Sequence, residues 1–216
     1  MPKLRVHNFS ISLDGYGAGP AQSEDEPLGV GGEALHEWVV ATRAWRREHG
    51  MDGGEEGVDS EVVGAGTEGI GATIMGRNMF GPIRGPWPDE AWKGWWGNDP
   101  PFHHRVFVLT HHPRAPIEME GGTTFEFVTD GIETALERAF DAAGGRDVRL
   151  GGGVATIQQY LRAGLVDELH VAVAPLLLHG GERLFDEPLA PPSGYEVIKF
   201  VGSGSVAHFW LSRSKQ

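Results

Sequence analysis

Apolar residues recur along this chain in two rhythms, one of period two and one near 3.6, and between them they predict its elements. Leu4 to Leu13 alternates around Val6, Phe9, Ile11 and Leu13 and reads as a strand. It stops at Asp14-Gly15-Tyr16-Gly17-Ala18-Gly19-Pro20, too rich in glycine for a regular element, and a long loop is expected from there to Gly32. From Glu33 to about Glu48, Leu35, Trp38, Val39, Thr42 and Trp45 fall at helical spacing and predict one helix with a buried face. Gly50 to Gly66 is dense in glycine and acids and reads as an exposed insertion, followed by a short helix over Thr67 to Gly71.

Ala72 to Arg77 is a short apolar strand that stops at a glycine followed by a basic residue. Asn78 to Asn98 reads as loop, with residues 84–103 forming a flap. Its Trp87, Trp92, Trp95 and Trp96 point to packing or an oligomer contact rather than a stacking platform for bases. Arg105 to Thr110 is a continuous apolar run that fits a buried parallel strand and leads into His111-His112-Pro113-Arg114. Phe125 to Val128 is the next strand, and Thr129-Asp130 stands where an N-cap belongs. The helix from Gly131 to Ala143 buries Ile132, Ala135, Leu136, Ala139 and Phe140, and Gly144-Gly145 closes it.

Asp147 to Leu150 is another strand, followed by Gly151-Gly152-Gly153 and a helix with Val154, Ile157 and Leu161 on its apolar face, ending at Gly164. Asp167 to Ala174 reads as a strand, and Pro175 to Pro192 as a Pro/Gly-rich connection. Tyr195 to Val201 and Ser205 to Leu211 form a hairpin about Gly202-Ser203-Gly204. Strands alternating with helices predict one α/β domain over residues 1–216, its sheet mainly parallel with an antiparallel C-terminal hairpin.

Charge narrows the partners. A formal net charge of −12 repels nucleic acid and anionic lipid, so neither is expected as a partner, although a local cluster of Arg and backbone N–H groups can still hold a small anionic molecule. The absence of cysteine excludes disulfides, thiol catalysis, iron–sulfur clusters and Cys-based zinc sites. No charged segment followed by an apolar run opens the chain and no stretch reaches a membrane span, so a soluble cytoplasmic protein is expected. The pairs His103-His104 and His111-His112 have neighbours pointing to opposite faces and no helical i, i+4 partner, so no metal site is expected. No Gly-x-Ser-x-Gly elbow or P-loop supports a hydrolase or an NTPase.

Three strand ends carry groups suited to phosphate. They are Gly76-Arg77, Thr110-His111 with Arg114 nearby, and the glycine triplet opening a helix, whose N-terminus offers unpaired N–H groups. The triplet alone fits a tight turn as well as a phosphate cradle; three such ends in one sheet favour a dinucleotide. Asp14, at a strand end beside a flexible loop, could supply a proton, anchor a substrate, or simply make an Asp-Gly turn.

The order and spacing of Ile74-Met75-Gly76-Arg77, of the strand ending at Thr110 and of Gly151-Gly152-Gly153 resembles the dihydrofolate reductase fold. Ser10-Ile11-Ser12-Leu13-Asp14-Gly15 and Asp167-Glu168-Leu169-His170-Val171 are similar, more specifically, to its riboflavin branch. That branch is the reductase domain at the C-terminus of the bifunctional riboflavin-biosynthesis deaminase-reductase and of stand-alone relatives. The similarity covers nearly the whole chain apart from residues 50–66 and the Trp-rich loop. It implies a dihydrofolate-reductase-like three-layer α/β fold, NADPH as cofactor and a homodimer formed through the C-terminal strands. By position, Arg77 would meet the adenosine 2′-phosphate, with Gly76, Asn78, Thr110, His111 and Arg114 at the same end. Gly151, Gly152, Gly153, Val154, Ala155 and Thr156 would hold the pyrophosphate, Ser12 to Tyr16 would border the nicotinamide, and Ser12, Tyr16 and Trp38 would face the substrate with Asp14 as the catalytic group.

Two departures bear on substrate. Met79 stands where dihydrofolate reductases usually carry a phosphate-binding Thr. Where they place a carboxylate early in the helix after the flap, this chain has Leu35 or His36, with Glu33 and Glu37 on other faces. Hydride transfer asks mainly that the protein align the cofactor and provide a proton. The resemblance therefore implies an NADPH-dependent reductase of a small heterocycle, imine or carbonyl compound, such as a ribosylaminouracil-type intermediate. Dihydrofolate or pterin reduction and non-catalytic NADP(H) binding are the alternatives. With no deaminase segment ahead of it, the domain is expected to act alone.

Overall fold

The computed structural model describes residues 1–185 and 194–214. Its centre is a nine-stranded sheet built on six parallel strands: β1 (Leu4–Ser12), β3 (Ile70–Gly76), β4 (Arg105–Leu109), β6 (Thr124–Val128), β7 (Asp147–Gly152) and β8 (Glu168–Ala174). The antiparallel strands β5 (Ile117–Glu118), β10 (Tyr195–Gly202) and β11 (Ala207–Arg213) form the two edges, giving the order β10-β11-β8-β1-β7-β3-β4-β6-β5. The mainly parallel sheet and the terminal hairpin are as the sequence predicts. Two short strands, β2 (Tyr16–Ala18) and β9 (Glu182–Arg183), pair separately. The loop after β1 is therefore partly regular, and residues 186–192 of the expected Pro/Gly connection lie outside the described residues.

One face of the sheet is dry. Helices α5 (Ile132–Ala143) and α6 (Val154–Arg162) pack there on Leu4, Val6, Ile11, Ala72, Ile74, Phe107, Val148 and Leu150. Strand β1 keeps this face apolar through a bulge. Val6 and Phe9 both face α5 and α6 although two residues separate them, because the register slips between them and Asn8 adopts φ 61°. At the start of α5 the N-cap position is Gly131, not the expected Thr129-Asp130, and no side chain caps it.

The other face carries two separate covers. The first consists of a 3-10 turn (Gly32–His36), α1 (Glu37–Val40), α2 (Arg43–Glu48) and α3 (Val58–Ala65), which bury Leu35, Trp38, Val62 and Val63 against Ala172 and Ala174 of β8. The single helix predicted over Glu33 to Glu48 is thus broken. Thr42 is extended and caps α2 by accepting the Trp45 N–H at 3.2 Å. Glu55 stitches the break from outside, accepting the Arg43 N–H and donating to the Ala41 carbonyl, both at 2.8 Å. The expected insertion at Gly50 to Gly66 is therefore structural in its second half, where α3 buries Val62 and Val63. Thr67 to Gly71 forms a turn and the start of β3 rather than a helix.

The second cover is the tryptophan flap, entered through α4 (Arg77–Phe80), which takes the first residues of the expected loop. Trp87, Trp92 and Trp96 pack with Phe80 on Met75, Val106, Val108 and Phe125, so the flap is a packed element.

Beneath the first cover runs a chain of hydrogen bonds with a fixed direction. The Asn8 N–H donates to His170 Nδ1 at 3.1 Å, His170 Nε2 meets His208 Nδ1 at 3.1 Å, and His208 Nε2 meets Asp59 Oδ1 at 2.9 Å. A backbone N–H can only donate, so His170 accepts at Nδ1 and carries its proton on Nε2; His208 must then do the same toward Asp59. Both rings are neutral. Burial holds His170 down at about 2, and burial with the Arg5 and Arg149 charges holds neighbouring His7 at about 4.

Candidate functional site

The parallel strands point their carboxyl ends to one edge, and sequence order reverses about β1, β7 and β3, where open α/β sheets form a crevice. There β3 ends in Gly76 and hands over to Arg77, while β7 ends in the glycine triplet and hands over to α6. The two ends nearly touch: a Cβ on Gly76 would collide with Thr156 Oγ1, so only glycine lets β3 approach the start of α6. Gly152 has φ 132°, a left-handed value that suits glycine, and the Gly152–Gly153 peptide is cis. Val154 and Thr156 are buried and Ala155 is exposed, so this end of α6 offers backbone N–H groups rather than side chains.

The expected basic residues gather one strand away. The Arg77 guanidinium lies 3.4 Å above the Trp87 ring and that of Arg114 lies 5.0 Å from it. Arg77 donates to the Gly85 carbonyl at 2.9 Å, yet its Nε and Nη2 are buried without a partner, as is Nη1 of Arg114. The Arg114 side chain is 1% exposed and its Nε stands 3.7 Å from Glu90 Oε2. Burial, and then the Arg114 charge, push Arg77 below its ordinary range. Thr110 accepts the His112 N–H at 3.1 Å, closing the turn after β4, while His111 is exposed. Asn78 reaches Gln22 of the first loop at 3.4 Å. The buried Arg114 and the half-buried Arg77 with their spare donors, on neighbouring strands from a bare glycine turn, could hold a phosphorylated cofactor.

Asp14 has three donors. Ser12 Oγ lies 2.6 Å from its Oδ1, the Leu178 N–H 3.1 Å from Oδ1, and the His179 N–H 2.8 Å from Oδ2. The Ser12 hydroxyl, helped by these N–H groups, holds the carboxyl down at about 2, so Asp14 is ionised and ties the first loop to the segment after β8. Ser12 is fully buried and spends its oxygen on Asp14 and the Tyr16 N–H. Trp38 is also buried, donating from Nε1 to Ser10 Oγ at 3.0 Å. Tyr16 stays partly exposed beneath the Arg183 guanidinium.

The family model described as the RibD C-terminal domain matches residues 2–192. The chain belongs to that family. Among solved structures, "Putative riboflavin biosynthesis protein" from Shewanella sp. PV-4 matches over 100% of both chains, at 22% identity and a TM-score of 0.58. Two forms of Acinetobacter baumannii RibD match at 17% identity with TM-scores of 0.54 and 0.55. There the chain covers 58% and 59% of the partner's length, so it spans about three-fifths of those RibD chains. No curated protein matches it. The fold is that of the dihydrofolate-reductase-like RibD domains. Among the described residues no helix is long and apolar enough to cross a membrane.

Within this RibD-type frame several residues stand at the site that periodicity does not reveal. Met79 packs its thioether beside Gly151, and the Phe9 ring lies beside Gly152. Glu182 reaches toward Gly153 while facing Arg84 at 3.8 Å. The Nδ1 of His36 is buried and unpartnered, and burial lowers its ring below the ordinary range. Glu33 and Glu37 are exposed. One signal was present in the sequence for another residue: Arg149 is a charge in the middle of an otherwise apolar strand, Val148-Arg149-Leu150.

Proposed function

We infer that this chain is an NADPH-dependent reductase of a small heterocyclic or imine substrate, resembling 5-amino-6-(5-phosphoribosylamino)uracil reductase of riboflavin biosynthesis. The observation that carries this reading is the pair Arg77 and Arg114, both close to the Trp87 ring, with three solvent-excluded nitrogens that lack an acceptor. Solvent-excluded donors without acceptors are costly, and the exposed Glu90 carboxylate meets only Arg114 Nε. In this reading the dihydronicotinamide supplies the hydride when bound. Arg77 and Arg114 hold the 2′-phosphate end, and the turn from Gly151 to Thr156 holds the pyrophosphate. Asp14 fixes the loop that closes over the nicotinamide. Folate reduction is less well supported, because neither Glu33 nor Glu37 turns inward. A homodimer and a cytoplasmic location belong to the same proposal.

Thermal melting with NADPH and NADP tests the reading directly, and an unmoved midpoint with both sinks it. Binding without oxidation across imines, dihydrofolate and pyrimidine intermediates would favour an NADP(H)-binding protein that does not turn over. Arg77→Ala should weaken NADPH roughly tenfold or more while leaving NADH nearly unchanged, since a hydrogen bond to a charged group is worth about 1.5–3 kcal/mol. Equal loss of both would remove Arg77 from the 2′-phosphate.

A further inference from the structure

The glycine turn between β7 and α6 meets apolar groups along its first two residues. A Cβ at Gly151 would touch the Met79 thioether, and one at Gly152 the Phe9 ring. At Gly153 the direction is open. Among the described residues outside the turn and α6 themselves, the one group that comes within 4.0 Å of such a Cβ is Glu182 Oε2. A carboxylate therefore lies over the start of α6, where unpaired N–H groups favour negative charge.

The backbone that carries Glu182 is anchored. Strand β9 pairs with β2, placing Glu182 opposite Ala18, and Gln158 of α6 clamps it by donating to the Arg183 and Leu184 carbonyls at 2.9 and 3.2 Å. Gly181 brings the two strands so close that a Cβ there would strike the Ala18 carbonyl. From this support the other carboxylate oxygen, Oε1, stands 3.8 Å from Nη2 of Arg84. Arg84 leaves a turn in which the Ile83 N–H donates to the Gly81 carbonyl at 2.8 Å, and the next carbonyl, that of Gly85, accepts from Arg77 at 2.9 Å. One carboxyl group thus stands between the glycine turn and a guanidinium whose backbone is tied to Arg77. The Arg84 and Glu182 side chains are 69% and 32% exposed, and an ion pair so wet is worth little and breaks readily. A diphosphate arriving at the turn repels the one and attracts the other.

We propose that Arg84 is a further phosphate-binding residue, held off the glycine turn by Glu182 until a diphosphate displaces the carboxylate and takes the guanidinium. Binding is then an exchange of partners: the Arg84–Glu182 contact breaks, Arg84 meets the phosphate, and Glu182 turns to solvent. That the ligand is a pyridine dinucleotide rests on the reductase reading above. The exchange concerns its diphosphate bridge, which NADPH and NADH share, and so weighs on both alike.

Tryptophan-fluorescence titration and thermal melting of the full chain with NADPH and with NADH, for wild type, E182Q, R84M and the double variant, test this. E182Q removes the repelling charge and should bind both dinucleotides about threefold to tenfold more tightly at low salt. In 1 M salt, where the screening length falls to about 3 Å, the gain should largely vanish. R84M should weaken both by about threefold, and by more when made in E182Q, where Arg84 is already free to meet the phosphate. Without ligand the variants should melt close to the wild type, since both side chains are exposed, and this separates altered binding from altered folding. Equal affinity of E182Q and wild type, a gain for NADPH alone, or an unchanged R84M overturns the exchange. Weaker binding by E182Q overturns it too and makes Glu182 a direct contact of the bound dinucleotide. No shift with either dinucleotide in any of the four proteins removes the reductase reading and the exchange together, whereas NADPH binding that E182Q does not improve removes the exchange alone.

Discussion

The two faces of the central sheet obey different rules. Toward α5 and α6 the strands present Leu4, Val6, Ile74, Phe107 and Leu150, and the helices answer with Ala135, Ala139 and Ile157. Toward α1 to α3 and the flap, the same strands present Arg5, His7, Ser10, Ser12, Thr73, Arg149 and His170. The first face has one job, to exclude water, and close packing of any suitable apolar set does it. The second must satisfy every buried donor and acceptor, and it does so with specific partners: Trp38 for Ser10, His104 for Thr73, and the imidazole chain for Asp59. At Arg149, Arg77 and Arg114 the partners are incomplete, each guanidinium leaving at least one buried nitrogen without an acceptor.

Breaking the dry face should cost most. Phe107 is 1% exposed in the middle of β4, and Phe107→Ala should lower unfolding free energy by about 3–5 kcal/mol at any pH near neutrality. Chemical denaturation checks it, and a loss under 1 kcal/mol would mean the site collapses around the hole. The polar face should instead respond to acid. Unfolded imidazoles titrate near 6.5, whereas folded His7 and His170 sit at about 4 and about 2, so below pH 6.5 the unfolded chain binds protons that the folded chain refuses. Stability therefore falls with pH, by about 2 kcal/mol per ring at pH 5, with His7 levelling near pH 4 and His170 continuing below it. A denaturation midpoint flat from pH 7 to pH 5 would contradict the neutral assignment. Smallest is Trp38→Phe, which keeps the ring but strips the donor from Ser10. It should cost about 1 kcal/mol, and a neutral result would show that Ser10 finds another partner.

Much of the dry face could be read from the chain alone. The apolar stripe of α5, the strand–glycine–helix turn at Gly151 and the terminal hairpin are local patterns whose partners lie nearby in sequence. The Gly76-Arg77 and Gly151-Gly152-Gly153 ends were legible for the same reason, since each is a strand running into a helix. The polar face was not. The break at Thr42 depends on Glu55, which helical periodicity cannot see, and α3 was hidden because Val62 and Val63 alone carry its burial within a glycine- and acid-rich stretch. The burial of Trp38 against Ser10 is likewise tertiary, and no local pattern announces it.

The direction of the Asn8–His170–His208–Asp59 chain has a spectroscopic consequence. Both Nε2 protons are committed as donors inside the fold, so they should exchange with solvent only when the structure opens. Two slowly exchanging imidazole protons in a nuclear magnetic resonance spectrum would then serve as built-in reporters. The one shared with Asp59 reads the docking of α3, and the one between the rings reads the pairing of β8 with β11. If α3 lifts before the sheet unravels, the first signal will wash out while the second persists.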